Sequence, residues 1–337
     1  MRVALGQKIL LWSLFFLICM GLGYPGVIRY NPSSVPGLSD SLGYASLVTG
    51  GNLAGDESHR ILVPYLARPI YWLANGHLHS WNPVFFALLV VNSFFIATTA
   101  YLLVTISYRI VGDYAVALVS GFLYLTNFAV ANFNLSGYVD SAINCMMIAV
   151  AWALLTERWW LLPIWGIVGA LAKETFVPLS VVFALAWWLT CWRNTLRLSR
   201  LAWTGAMTAA GFATLILVMA QVSPGSSPMT FAASRWSESG AGFLYLSGLV
   251  RCLTARETLY VFGWLLPLGV WRLGRVPRPW VVASVFAALA ALAMGAYDDA
   301  LGNTVRPLFS ALGPVLSLSA SLLLVEAGTR SISSETQ

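Results

Sequence analysis

The chain has 337 residues, of which 58% are hydrophobic and 9% are charged, and its mean hydropathy is +0.75. A soluble domain carries about 25% charged residues, so this composition excludes an ordinary globular protein in water and predicts helices that lie in lipid. The net charge of +6 does not indicate a nucleic-acid partner, because the arginines occur in short clusters between apolar runs, where they act as topology signals.

The apolar runs predict a bundle of membrane helices. The first run, 9–24, follows Arg2 and Lys8 and resembles a signal peptide, but no small-x-small cleavage site follows it, so we expect a retained first helix. Further runs that are long enough to cross lipid, or nearly so, lie at about 84–107, 114–132, 139–156, 159–172, 176–192, 201–221, 258–271, 280–296 and 307–325. The sequence therefore predicts an all-α transmembrane domain over 1–330 with about ten crossings, followed by a disordered tail at 331–337.

One long segment, about 25–75, separates the first two membrane runs. Its end, 61–75, is apolar but contains Arg68 and two prolines, Pro64 and Pro69. Such a segment is typical of short helices that lie in the membrane interface. We expect interfacial helices there.

The arginine clusters predict the orientation of the chain. If the N-terminus is inside, every cluster falls on the same side, which satisfies the positive-inside rule. The clusters contain Arg109, Arg158, Arg193, Arg197, Arg200, Arg272, Arg275, Arg278 and Arg330. This pattern predicts two cytoplasmic termini, and the short loops without a eukaryotic retention signal predict a bacterial inner membrane.

The opposite side receives most of the carboxylates, mixed with cations. Ionisable groups at the membrane boundary are costly unless they are paired, hydrated or used. A set that comes from several loops can converge on one cavity. The outside set includes Asp40, Tyr44, His59, Arg60, Asn134, Tyr138, Asp140, Lys173, Glu174, Asp298, Asp299 and Arg306.

Several patches of this outside set resemble the GT-C superfamily, whose members are polytopic glycosyltransferases that use polyprenyl-phosphate-linked sugars. The patches are Asp40 with Tyr44, the stretch His59-Arg60-Ile61-Leu62-Val63-Pro64-Tyr65-Leu66, Gly137-Tyr138-Val139-Asp140, Leu171-Ala172-Lys173-Glu174-Thr175, and Arg306 before a helix with Pro307 and Pro314. The resemblance implies a GT-C-like bundle that transfers a sugar, with inversion, to a glycan, lipid or protein acceptor on the outer face. Many members carry a further soluble domain, so we expect acceptor recognition here from loops or from a partner.

The chemistry of such a transfer assigns roles to these residues. A carboxylate must take the proton of the acceptor hydroxyl, and cations must stabilise the departing phosphate. Position and resemblance assign the base to Asp40. Arg60 and Arg68 stand eight residues apart, so they could project from one helical face toward the phosphate. The further substrate-binding candidates are Tyr44, His59, Asp140, Lys173, Glu174 and Arg306.

Each candidate also has a purely structural interpretation. Asp40 could cap a helix, and Arg60 could reach lipid headgroups. Asp140 could favour a helix dipole. Lys173 and Glu174 could form an ion pair that closes a turn.

Metal binding and modification are weakly indicated. Asp298-Asp299 could hold a divalent cation beside a diphosphate or simply be solvated. His59, His77 and His79 do not form a metal-binding spacing. The sequence therefore predicts no cofactor and no metal ligand. Asn134-Leu135-Ser136 matches a glycosylation sequon, which is common by chance.

Two alternative functions stay open. The protein could be a transporter of a lipid or glycolipid, or a non-catalytic subunit of a cell-envelope complex.

Overall fold

The structure is a computed structural model of the chain. It describes residues 5–29, 39–51, 58–191, 198–222, 245–297 and 304–335, except for the side chains of 27–29, 39–40, 245–247, 296–297 and 328–335. Within these ranges the secondary structure is entirely helical. This confirms the predicted all-α class.

The described part of the chain contains fourteen α-helices. They are α1 (Leu5–Arg29), α2 (Ser39–Thr49), α3 (Leu62–Ala74), α4 (Pro83–Val111), α5 (Tyr114–Leu125), α6 (Asp140–Leu155), α7 (Leu162–Ala172), α8 (Phe176–Cys191), α9 (Leu198–Val222), α10 (Tyr245–Thr254), α11 (Arg256–Phe262), α12 (Leu265–Val270), α13 (Arg278–Tyr297) and α14 (Val305–Glu335). A π-helical turn, Val130–Asn134, lies between α5 and α6. Short 3-10 turns cover Trp159–Leu161 and Leu273–Arg275.

Five of the described helices are long and apolar enough to cross a membrane. They lie in α1, α4, α9, α13 and α14, whereas α5, α6, α8 and the stretch Trp159–Ala172 are shorter apolar helices. Large apolar side chains such as Leu10 and Leu217 are exposed on the surface of the bundle. Such a surface is stable in lipid rather than in water, so the fold indicates a membrane protein.

Polar caps set the ends of the best-defined helices. The side chain of Asn82 accepts hydrogen bonds from the backbone amides of Val84 and Phe85, at 3.0 Å and 3.4 Å, and so begins α4. Gly112, with a φ of 75°, ends the same helix. Asp113 then caps α5 in the same way as Asn82 caps α4.

Three details differ from the sequence predictions. The apolar run 258–271 is broken into α11 and α12. Pro267 has no amide hydrogen, so it cannot donate the helical hydrogen bond to the Gly263 oxygen. Helix α14 runs to Glu335, so residues 331–335 are helical rather than part of a disordered tail; no proline or glycine after Gly328 stops the helix. The interfacial segment begins later than predicted, because α1 extends to Arg29.

Each end of the bundle carries its own set of charged pairs. At one end, Glu157 after α6 pairs with Arg200 of α9 at 2.6 Å, and Glu326 of α14 pairs with Arg272 at 2.6 Å and also with Arg275. These are residues of the predicted inside. The candidate residues of the predicted outside lie at the other ends of the same helices, since α6 starts at Asp140 and α14 follows Thr304.

Helices α7 and α9 approach closely because small residues face each other. A Cβ atom on Gly166 would lie 2.6 Å from the backbone oxygen of Met207, and one on Gly211 would lie 3.0 Å from Val177 and 3.5 Å from the Gly166 oxygen. Small residues at such contacts let helices pack closely in lipid.

We predict that Gly166→Ala lowers the stability of the protein in detergent. The added methyl group meets backbone, which cannot rotate away, so the cost should be about 1–3 kcal/mol. Gly205→Ala in α9 is the matched control: a Cβ there meets nothing within 4 Å, and helix propensity should make that change neutral or stabilising. Thermal unfolding checks both variants, and equal melting temperatures would contradict the close packing of α7 on α9.

Candidate functional site

The candidate residues that the structure brings together come from five separate parts of the chain. These parts are α2, the segment 58–61 before α3, the segment 138–140 at the start of α6, the α7–α8 turn at 173–175, and the start of α14. The first group of contacts centres on Glu174 and the second on Asp140.

Glu174 holds Arg60 through two hydrogen bonds. Arg60 Nη2 donates to Glu174 Oε1 at 2.7 Å, and Arg60 Nε donates to Oε2 at 3.0 Å. His59 Nε2 lies 2.8 Å from the same Oε2, which it meets as a donor because the carboxylate only accepts. Arg60 Nη1 also donates to the Tyr44 hydroxyl at 2.9 Å. The guanidinium is thereby fixed on two sides.

Charge pairing keeps both members of this pair ionised. Burial raises the pKa of Glu174, but the charge of Arg60 and the hydrogen bonds from His59 and Arg60 outweigh it and hold that pKa well below its ordinary value. Burial lowers the pKa of Arg60, but Glu174 and Tyr44 raise it further than burial lowers it. The pair is therefore charged throughout the physiological range.

Asp140 holds the other two cations. Lys173 Nζ donates to Asp140 Oδ1 at 2.9 Å, and Arg306 Nη1 donates to Oδ2 at 3.3 Å. The Arg306 guanidinium also lies over the ring of Tyr138, 3.9 Å from its centroid, and 5.4 Å from that of Phe133. Aromatic faces attract such cations.

The backbone at the α7–α8 turn connects the two groups. Lys173 ends α7 in an extended conformation, with φ −167° and ψ 143°, and successive side chains of an extended chain point in opposite directions. Lys173 therefore reaches Asp140 while Glu174 reaches Arg60. The Arg60 charge also acts on the Asp140 carboxylate, so the two groups form one buried cluster, which we call the charge cluster.

Neutral hydrogen bonds anchor the helices beneath the charge cluster. Asn92 Nδ2 of α4 donates to the backbone oxygen of Tyr138 at 2.9 Å, and Ser141 donates to Asn92. One turn deeper, Ser310 of α14 donates to Asn144 of α6. These bonds join α4, α6 and α14, which supply or support Asp140 and Arg306.

The structure brings seven of the nine candidates into the charge cluster. They are Tyr44, His59, Arg60, Asp140, Lys173, Glu174 and Arg306.

Two predicted pairings do not form. Arg60 and Arg68 do not share a helical face, because α3 begins only at Leu62. Arg68 Nε instead donates to the Leu47 backbone oxygen at 2.9 Å. The Arg68 guanidinium lies 4.1 Å from the centre of the Tyr65 ring. Lys173 and Glu174 do not close their turn as an ion pair, because each pairs with a carboxylate or cation from another segment.

Two predictions fall outside the described residues. The backbone of Asp40 lies in α2, four positions before Tyr44 and thus one helical turn away on the same face, but its side chain is not among those described. Asp298 and Asp299 are not described. Within the described ranges, no group of three or more His, Cys, Asp or Glu could hold a metal ion.

Asn134 belongs to the predicted outside set, but the sequence did not predict its burial. It ends the π-helical turn, directly after Phe133, and its side chain is 2% exposed. An asparagine in a polar turn gives no sequence signal for burial.

Comparisons with protein-family models, with curated proteins and with solved structures find no match for the chain.

We predict that Glu174→Gln destabilises the protein by about 3 kcal/mol, because it leaves the Arg60 charge buried without its carboxylate. Glu157→Gln is the matched control. Its partner is Arg200 at the other end, the Glu157 side chain is 58% exposed, and exposed pairs contribute at most about 1 kcal/mol. Thermal unfolding of both variants measures the difference, and losses of equal size would contradict a buried role for Glu174.

The same pair predicts a dependence of stability on pH. The pKa of Glu174 lies well below its ordinary value of 4.5 in the folded protein, so its contribution is complete above that value and is lost as the pH falls through the folded pKa. The melting temperature of wild type should therefore fall more steeply on acidification below pH 4.5 than that of Glu174→Gln. Parallel curves would contradict this assignment.

Proposed function

We propose that the protein is a membrane glycosyltransferase with a GT-C-like fold, which takes a sugar from a polyprenyl-phosphate carrier. The observation that carries this proposal is the convergence of Arg60, Lys173 and Arg306 at one end of an apolar helix bundle. Each of these cations is held in place by a carboxylate.

Cations held in this way suit a phosphate group. Guanidinium and ammonium groups are the side chains that bind phosphate oxygens. Their carboxylate partners fix the geometry before a ligand arrives, which reduces the ordering needed when the phosphate binds. Lys173 has three amino hydrogens, of which the bond to Asp140 uses one.

The surroundings of the cluster suit a lipid carrier rather than a soluble nucleotide sugar. Helix α3 follows Arg60 directly and buries Val63, Pro64, Ala67 and Ala74. Its other face exposes Tyr65, Leu66, Trp72 and Leu73. An apolar exposed face beside a cluster of cations is the arrangement that an isoprenoid tail with a phosphate head requires.

Asp40 is the base in this proposal. It takes the proton of the acceptor hydroxyl, and the acceptor oxygen forms a bond to the anomeric carbon from the face opposite the carrier. The bond from that carbon to the phosphate oxygen breaks, and its electron pair leaves with the phosphate, which the cations stabilise. The anomeric configuration is inverted. The position of Asp40 one turn before Tyr44, which contacts Arg60, supports this role.

The location completes the proposal. The arginine-rich end lies in the cytoplasm and the charge cluster on the outer side of a bacterial inner membrane, so both termini are cytoplasmic and the acceptor is a glycan, lipid or protein of the cell envelope. The arginines at the Glu157 end, such as Arg200 and Arg272, support this orientation.

We predict that Asp40→Asn abolishes sugar transfer by the purified protein. Asparagine caps helices as well as aspartate does, so the change removes the base and preserves any capping role. Asp113→Asn is the control, because Asp113 only caps α5 at the opposite end. Transfer from radiolabelled polyprenyl-phosphate sugars gives the readout; activity of Asp40→Asn equal to wild type would exclude this base.

We further predict that Lys173→Met raises the KM for the lipid-linked donor by roughly ten-fold or more, since a charged hydrogen bond contributes about 1.5–3 kcal/mol. Lys173→Arg keeps the charge and should retain most of the affinity. Donor titrations with both variants check this. Transport of the intact lipid across vesicles without a new glycosidic bond would instead identify a transporter, and activity only after a partner copurifies would identify a subunit.

A further inference from the structure

The turn between α5 and α6 has an unusual local geometry. Asn127 follows the end of α5: its Oδ1 accepts from the Ala129 amide at 2.9 Å, and its Nδ2 donates to the Val261 oxygen at 2.9 Å. The backbone then widens into the π-helical turn, where the Leu135 amide donates to the Val130 oxygen at 3.0 Å. Single π-helical turns often occur at functional sites.

The amide nitrogen of Asn134 has no hydrogen-bond partner. This Nδ2 atom is buried and lacks an acceptor within the described part of the chain. The Nδ2 atoms of Asn92, Asn127 and Asn132 each donate to a backbone oxygen. Buried amides are normally satisfied, so an unsatisfied one needs a specific explanation.

The turn that carries Asn134 also surrounds one of the phosphate-binding cations. Phe133 precedes Asn134 directly, and Tyr138 follows four positions later; both present their rings to the Arg306 guanidinium. Gly137, with a φ of 92°, reverses the chain between them, which a residue with a side chain does only under strain. The unpartnered amide therefore belongs to the segment that forms one wall of the charge cluster.

We infer that Asn134 is a specificity-determining residue, whose Nδ2 donates a hydrogen bond to a hydroxyl oxygen of the transferred sugar. This inference rests on the proposed function. A phosphate is the ligand of Arg60, Lys173 and Arg306, and the group beside a phosphate in the donor is the sugar. A neutral carboxamide matches a sugar hydroxyl, and a site that loses a buried bond of this kind discriminates strongly against ligands without the hydroxyl.

Asn134→Leu and Asn132→Leu form a matched pair for the test. Both residues lie on the same turn, but Asn132 donates to the Phe128 oxygen at 3.0 Å and serves the fold. Melting temperatures of detergent-purified protein are measured without ligand, with a sugar-free polyprenyl phosphate, and with the mannosyl, glucosyl and arabinosyl esters of that lipid. The KM for the best donor is measured in parallel.

We expect Asn134→Leu to melt no lower than wild type without ligand, because it removes an unsatisfied donor. It should keep the wild-type shift with the sugar-free lipid, lose the additional shift that the sugar produces, and raise the donor KM about ten-fold. Asn132→Leu should lower the melting temperature and leave the KM unchanged.

Two results would overturn the inference, and they are distinguishable. If wild type responds to the glycosylated lipid and Asn134→Leu responds equally, with an unchanged KM, then Asn134 does not contact the sugar and the proposed function stands. If wild type responds to none of the lipids and transfers no sugar, the proposed function fails and the inference fails with it.

Discussion

Compensation of buried charge at one end of an apolar bundle is the constraint on which the rest of the structure depends. An ion removed from water loses several kcal/mol of hydration unless a well-placed partner replaces it. Glu174 obtains this compensation from Arg60 and His59, and Asp140 obtains it from Lys173 and Arg306. Because the partners belong to different segments, the same bonds fix the loop before α3, the α7–α8 turn and the starts of α6 and α14 relative to one another. The candidate site and the stability of this end of the bundle thus share one set of interactions.

The opposite end follows different rules. Its carboxylates are also paired, but Glu157 is largely exposed and its bond to Arg200 lies where water and salt screen it. Close packing in the middle of the bundle depends instead on small residues, such as Gly166 against the backbone of α9. Charge at the arginine-rich end therefore contributes to orientation more than to cohesion, whereas charge at the Glu174 end holds separate helices together.

The sequence predicted the class of fold and most members of the charge cluster, but not their partners. Apolar runs are local signals, so helices could be located from them. The partner of Lys173 could not, because it depends on the extended backbone of that residue and on the arrival of Asp140 from another helix. The spacing of Arg60 and Arg68 suggested one helical face for a similar reason. The sequence does not tell where α3 begins, and it begins only at Leu62, after Arg60. The burial of Asn134 was not predicted because polarity in a turn predicts exposure, and only the packing of the π-helical turn buries it.

The distribution of polar groups along the bundle favours chemistry at one face over transport through the interior. A transporter needs polar or charged groups along its path, with binding near the middle of the membrane. Between the two charged ends, the bonded polar side chains in the described part of the chain are neutral, and some of them join helices, as Asn144 and Ser310 do, or Ser107 and Ser120 at 2.9 Å. Such bonds hold helices together and offer no charge to a passing ion or headgroup. The ionised groups of the charge cluster lie instead at helix ends, such as the start of α6 and the end of α7. In the proposed function this position lets a carrier lipid bind its phosphate beside Arg60 while its tail stays in the membrane, and the acceptor then approaches the sugar from the same side.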